Sequence, residues 1–146
     1  MILLVPVGKT PAPYAHAGFV PRKAEDDIVR HLLRPCFPKD GPRDGEVLLL
    51  AGFDVYKRLV ALERADGDGI GRCSIPPRCW QGLMGRDVAT VLMAHNHPSG
   101  AAWPSNADIR CTHETAQFLR FLDIELTDHL IVVDTGHFSF RRAQLM

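Results

Sequence analysis

Ile28, Val29, Leu32 and Leu33 recur at helical spacing, and Pro35 stops the run, which predicts a helix beginning near Lys23. Glu46–Phe53 is apolar after its leading acid and reads as a buried strand. Tyr56–Glu63 alternates as its hairpin partner, with Asp54 and Val55 near the turn. Asp66-Gly67-Asp68-Gly69 is a strong turn signal; Ile70–Ile75 then predicts a third, short strand. Pro76-Pro77 favours a helix start, so Arg78–Met84 is read as a short helix. Val88–Ala94, apolar and partly β-branched, predicts a central strand, followed by a loop over His95–Pro104. Ser105–Phe121 is the clearest helix, with Ile109, Thr112, Ala116, Phe118 and Leu119 on or near one face. His129–Val133 is another buried run; Asp134-Thr135-Gly136 turns the chain and His137–Phe140 pairs back.

Strands mixed with helices in this way predict an α/β or α+β layered domain. Pro11, Pro13, Gly18 and Pro21 break up Lys9–Pro21, so residues 1–21 are expected to form an extended arm and 22–146 a single domain. A chain of 146 residues suits one domain with a proper core.

Composition changes this picture only at a few points. Lys+Arg and Asp+Glu both number 17, so the formal net charge is zero, which argues against a broad basic face for nucleic acid. The apolar start Met1–Val7 has no basic leader and is interrupted by proline, unlike a signal peptide. No stretch approaches the ~20 apolar residues of a membrane span, so the expectation is a cytoplasmic protein without membrane contact. Cys36, Cys73, Cys79 and Cys111 form no C-x-x-C pair; a zinc ribbon is discounted, and isolated reduced thiols are expected.

The candidate chemistry lies at the exit of the central strand, in His95-Asn96-His97. In extended backbone, residues two apart share a face, so both imidazoles converge on one point. Imidazole nitrogen suits zinc, but H-x-H alone is weak. Pro98-Ser99-Gly100 turns the chain, and Pro104-Ser105-Asn106-Ala107-Asp108 opens the long helix, which aims Asp108 back at the strand exit. Two histidines and a carboxylate are three protein ligands; a fourth position is left for water, the plan of a hydrolytic zinc site. A competing use of Ser105 and Asp108 is a capping box, in which both side chains only satisfy helix N–H groups. The two uses are compatible, with Ser105 a cap and an active-site hydroxyl at once. Zinc-bound water needs a base that is not itself a ligand. Glu46, heading an apolar strand, is the best candidate, with Glu25, Glu63, Glu114 and Glu125 as rivals.

His95-Asn96-His97-Pro98-Ser99-Gly100, then Pro104-Ser105 and Asp108, resembles the signature of the JAB/MPN (JAMM-motif) zinc metallohydrolases, and within them the RadC branch. Asp128-His129-Leu130-Ile131-Val132 is similar to that branch's later D-H-hydrophobic strand, and Ser139-Phe140-Arg141 to its closing segment. The likeness covers roughly Glu25 to Met146. It implies a mixed, curved sheet flanked by helices, with a cytidine-deaminase-like outline. It implies Glu46 as the base, Ser105 as the residue that steadies the oxyanion, and peptide or isopeptide (amide) bonds in a peptide or protein as substrate.

RadC proteins usually carry an upstream helix-hairpin-helix element that the short leader here has no room for, so DNA binding is not carried over. Gly100-Ala101-Ala102-Trp103 departs from the family's acidic or proline residues, and Trp103 is expected either to pack in the core or to line the substrate cleft. The alternative function is a DNA-repair or recombination accessory without peptidase activity; neutral charge favours the hydrolase. A nucleobase deaminase would need H-x-E and P-C-x-x-C, which the chain lacks. His16, His31, His113 and His137 are expected to be surface or hydrogen-bonded residues, and His129 to support the site or the core.

Overall fold

The computed structural model describes residues 17–37, 45–66 and 75–146. One six-stranded mixed sheet organises them, from β1 (Phe19–Pro21), β2 (Val47–Phe53), β3 (Leu59–Asp66), β4 (Thr90–Asn96), β5 (Glu125–Val133) and β6 (Gly136–Ser139). Their order is β1-β6-β5-β4-β2-β3; only β4 and β5 run parallel. The helix joining that parallel pair, α2 (Asn106–Phe121), is the crossover such a connection requires. A shorter helix, α1 (Pro77–Met84), precedes β4, with Pro77 at its first position.

Alternation along the strands divides the core between the two faces of the sheet. On one face, Val47, Leu49 and Ala51 of β2, Leu92 and Ala94 of β4, and Leu130 and Val132 of β5 pack with Val29, Leu33 and Phe37. On the other, Leu48, Leu50, Val91 and Met93 pack with Cys79 and Leu83 of α1 and Leu119 of α2. Because the side-chain period is two, a one-residue slip of β4 would exchange these sets. The register therefore also decides which face receives His95.

Several elements differ from expectation for local reasons. Phe19–Pro21, assigned to an extended arm with little structure of its own, pairs with β6 as the sheet's edge strand. Proline is tolerated there because an edge position needs no second ladder partner. The helical run is a π-helical turn, Ile28–Leu33, flanked by 3-10 turns at Arg22–Ala24 and Arg34–Cys36. The hairpin partner of β2 starts at Leu59 because Asp54 builds the turn: its Oδ1 accepts from the N–H groups of Tyr56 and Arg58, and Lys57 takes φ 63°. The strand expected over Ile70–Ile75 lies outside the described residues but for Ile75, which is not in a strand. β4 runs on through Asn96, so His95 is a strand residue and not a loop residue. Cys36 and Cys79 are free thiols, but Cys111 is disulfide-bonded, against the expectation of reduced cysteines throughout. Among the described residues no helix is long and apolar enough to cross a membrane.

Candidate metal centre

His95 enters the site from β4, on the sheet face covered by α2, paired with Leu48 and Ile131. His97 follows just beyond the strand, two residues on. Asp108 comes from the first turn of α2, where Ser105 is the N-cap. Both halves of the capping box are formed: Asp108 N–H donates to Ser105 Oγ at 3.0 Å, and Ser105 N–H donates to Asp108 Oδ2 at 2.9 Å. The cap locks the carboxylate in place and does not divert it from the histidines.

The three side chains meet. His95 Nε2 and His97 Nε2 are 3.0 Å apart, His97 Nε2 and Asp108 Oδ2 3.1 Å, and His95 Nε2 and Asp108 Oδ1 3.5 Å. Donors held about 2.0–2.2 Å from one tetrahedral ion stand roughly 3.3 Å from each other, so the spacing fits a shared cation. These residues form a largely buried group that could hold a metal ion; His95 is 4% and Asp108 2% exposed.

The hydrogen bonds suit that use. His97 Nδ1 lies 2.9 Å from the Ala101 carbonyl oxygen, which can only accept, so Nδ1 carries the proton and Nε2 keeps its lone pair for the cluster. His95 Nδ1 lies 2.7 Å from Nε2 of His129, which is fully buried and stacked on Phe140 at 4.4 Å between ring centroids. Burial opposes the charged form of Asp108, but the adjoining imidazoles of His95 and His97, together with Ser105 N–H, outweigh it and hold the carboxyl well below its ordinary range. Burial likewise pulls His97 down, and the Asp108 carboxylate more than reverses this, so its pKa is raised. Burial, reinforced by His95, holds His129 well below its ordinary value and hence neutral.

Glu46 precedes β2 and is half-buried. In the antiparallel pairing Leu48 faces His95. Carried two residues further, that register sets Glu46 opposite His97 on the same face. Asn96, the middle residue of H-x-H, joins the two strand ends: its Oδ1 accepts from Val47 N–H at 2.6 Å and its Nδ2 donates to Gly45 O at 3.5 Å. The negative charge of Glu46 is one of the groups that raise His97. Ser105 is exposed; its oxygen accepts from Asp108 N–H, a bond that does not use its own proton.

Among the rival carboxylates, Glu25 is committed to Arg34 and His137 on the opposite face, and Glu125 to Arg141. Glu63 sits against α1 beside Gly82. Trp103 packs partly buried against the cluster of Ile131, Val133, Phe138 and Phe140. His31 lies near Asp27, His113 bonds the Leu145 carbonyl, and His137 is buried on Glu25; His16 lies outside the described residues. Asn96 and Thr112 were not singled out as site residues from the sequence. The available signals were an amide between two candidate ligands, and a hydroxyl one helical turn after Asp108.

A family model described as RadC-like JAB domain matches residues 24–145. Similar proteins include a UPF0758 protein of Paraburkholderia xenovorans, 34% identical over 70% of this chain and 41% of its own length. UPF0758 proteins of Burkholderia cenocepacia, 36% identical over 72% of the chain, and Burkholderia mallei, 36% over 82%, are also covered for 41% of their lengths. The chain thus spans about two fifths of these relatives.

Proposed function

Because the chain belongs to the RadC-like JAB domain family, we propose that it is a zinc-dependent hydrolase of amide bonds in peptide or isopeptide substrates. His95, His97 and Asp108 hold the ion. The single observation that carries this reading is the convergence of two imidazole nitrogens and a buried carboxylate at 3.0–3.5 Å spacings. Two histidines and one carboxylate form a mixed nitrogen–oxygen donor set, with room for a non-protein ligand.

Zinc bound there would lower the pKa of a water toward ~7 and polarise a substrate carbonyl. Glu46, opposite His97 by strand register, is the base that takes the water's proton and returns it to the departing amine. Ser105 donates its hydroxyl proton to the oxyanion while its oxygen accepts from Asp108 N–H. Asn96 holds the backbone ahead of β2 against the end of β4, so the base cannot drift from the ligands. The formed capping box favours this division of labour, since Ser105 and Asp108 are both fixed before substrate arrives.

Metal analysis of the purified protein tests the assignment. Near-stoichiometric zinc is expected in the wild type, and its loss in the double variant His95→Ala, His97→Ala. Zinc retained by a folded double variant would remove the basis of the proposal.

A further inference from the structure

His129 and Thr112 stand behind the ligands and are not among the metal-binding or reacting groups assigned above. Thr112 Oγ1 lies 2.7 Å from the Asp108 carbonyl oxygen, four residues back in α2, and 2.6 Å from His129 Nδ1. His129 Nε2 lies 2.7 Å from His95 Nδ1. A carbonyl oxygen can only accept, so the single proton of the Thr112 hydroxyl goes to it. The hydroxyl must then accept from His129 Nδ1–H. A neutral imidazole has one N–H, so His129 Nε2 is bare and must accept from His95 Nδ1–H. The same count leaves His95 Nε2 bare, facing His97 and Asp108.

We propose that Thr112 and His129 are positioning residues that set the tautomer of His95, so that its Nε2 lone pair faces the ion. The chain starts and ends on metal ligands: it leaves the backbone of Asp108 in α2 and returns through the ring of His95 in β4. It therefore also holds the helix and the strand at the separation the ion requires. All its atoms are buried; Thr112 and His129 are both 0% exposed, so water does not compete for these bonds. Phe140, parallel to the His129 ring within 6°, fixes the ring plane. The inference deepens the metal-binding reading and rests on it for its consequence, but the proton positions can be read without metal.

Long-range proton–nitrogen NMR of the metal-free protein, at a pH where the rings are neutral, reads the tautomers directly. His95 and His129 are both expected to carry the proton on Nδ1; a proton on Nε2 of His129 overturns the proposal whatever any variant does. Thr112→Val, nearly the same shape without the hydroxyl, should leave His129 in mixed tautomers. Chelator competition should then show zinc bound about 10–100-fold more weakly. Thr112→Ser should restore both. A Thr112→Val protein with the wild-type tautomer and wild-type zinc affinity refutes the relay. If the wild type has the expected tautomers but takes up no zinc, the metal-binding reading falls while the proton chain stands.

Discussion

At the scale of single residues, the two proposed catalytic side chains differ in how they can be isolated. Glu46 makes no ligand contact in the scheme, so Glu46→Gln should retain zinc and melt like the wild type while losing turnover. A Glu46→Gln protein that hydrolyses substrate normally assigns the base elsewhere. Ser105 has two duties, and substitution separates them. Ser105→Ala removes the N-cap acceptor, at a cost of about 0.5–2 kcal/mol, whereas Ser105→Gly costs only a few tenths. Removal of an oxyanion donor lowers kcat by about 10²–10³. Both variants should therefore lose turnover to a similar degree, while thermal melts show the larger destabilisation in Ser105→Ala. Turnover that follows stability across the pair would leave Ser105 a cap alone. The convergence of the proposed ligands was legible because H-x-H in extended backbone and S-x-x-D at a helix start are local geometries. Thr112 and His129 were not legible as a pair: 17 residues separate them, and only the packing of α2 on β5 brings them together. The signal for His129 was a histidine within an apolar strand, which must find buried partners.

At the scale of elements, the edge of the sheet is held by charge and not by strand length. Glu25, 2% exposed, accepts from Arg34 Nη2 at 2.8 Å and faces His137 Nδ1 of β6 at 2.6 Å; Arg34 also donates to the Gly136 carbonyl at 3.1 Å. This clamp ties the π-helical segment to β6, beside the three-residue pairing of β1. Removing one partner of a buried pair typically costs about 3–5 kcal/mol, so Arg34→Ala should destabilise strongly in denaturant titrations. Arg34→Lys should recover only part, since an ammonium cannot engage both carboxylate oxygens as a guanidinium does. Burial opposes the charged form of Glu25, but Arg34 and His137 outweigh it and lower its pKa below 4.5. A depressed carboxyl stabilises the fold fully above its unfolded value and loses that contribution as pH falls through the folded one. Acid unfolding of the wild type should thus be steeper below about pH 4.5 than that of Arg34→Ala, in which only the His137 share of the depression is left. Equal acid sensitivity would mean that the clamp carries no proton linkage. The N-terminal elements were the least legible part of the chain. β1 exists through pairing with residues more than a hundred positions away, and neither its proline nor its length announces a strand. The β2–β3 turn falls beside Asp54 and Val55 as expected, but its partner strand starts later: the Asp54 side chain extends the loop to Arg58, and a period-two count does not register side-chain hydrogen bonds.

At the scale of the whole molecule, the proposed ligands join the end of β4 and the start of the crossover helix. An ion bound only by the native state adds RT ln(1 + [L]/Kd), about 2.7 kcal/mol when free metal is 100 times Kd. For a chain of this size each kcal/mol moves Tm by about 2–4 °C, so zinc should raise Tm by roughly 5–11 °C over protein stripped with chelator. The size of that shift must depend on pH. With no ion, His97 has a raised pKa because the Asp108 carboxylate outweighs the penalty of burial. A group with a raised folded pKa stabilises the metal-free fold below its unfolded value and loses that contribution as pH rises through the folded one. Zinc needs the same nitrogen deprotonated, so proton and metal compete for one lone pair. At low pH the proton already bridges His97 to Asp108 and zinc gains little over it. At high pH the metal-free site holds the bare His97 nitrogen against the Asp108 carboxylate with no proton between them, and zinc gains most. Paired melts with and without chelator should therefore diverge as pH is raised from about 6 to about 8, at fixed free zinc. A chelator effect that is flat or shrinks over this interval would mean that His97 is not where proton and metal compete.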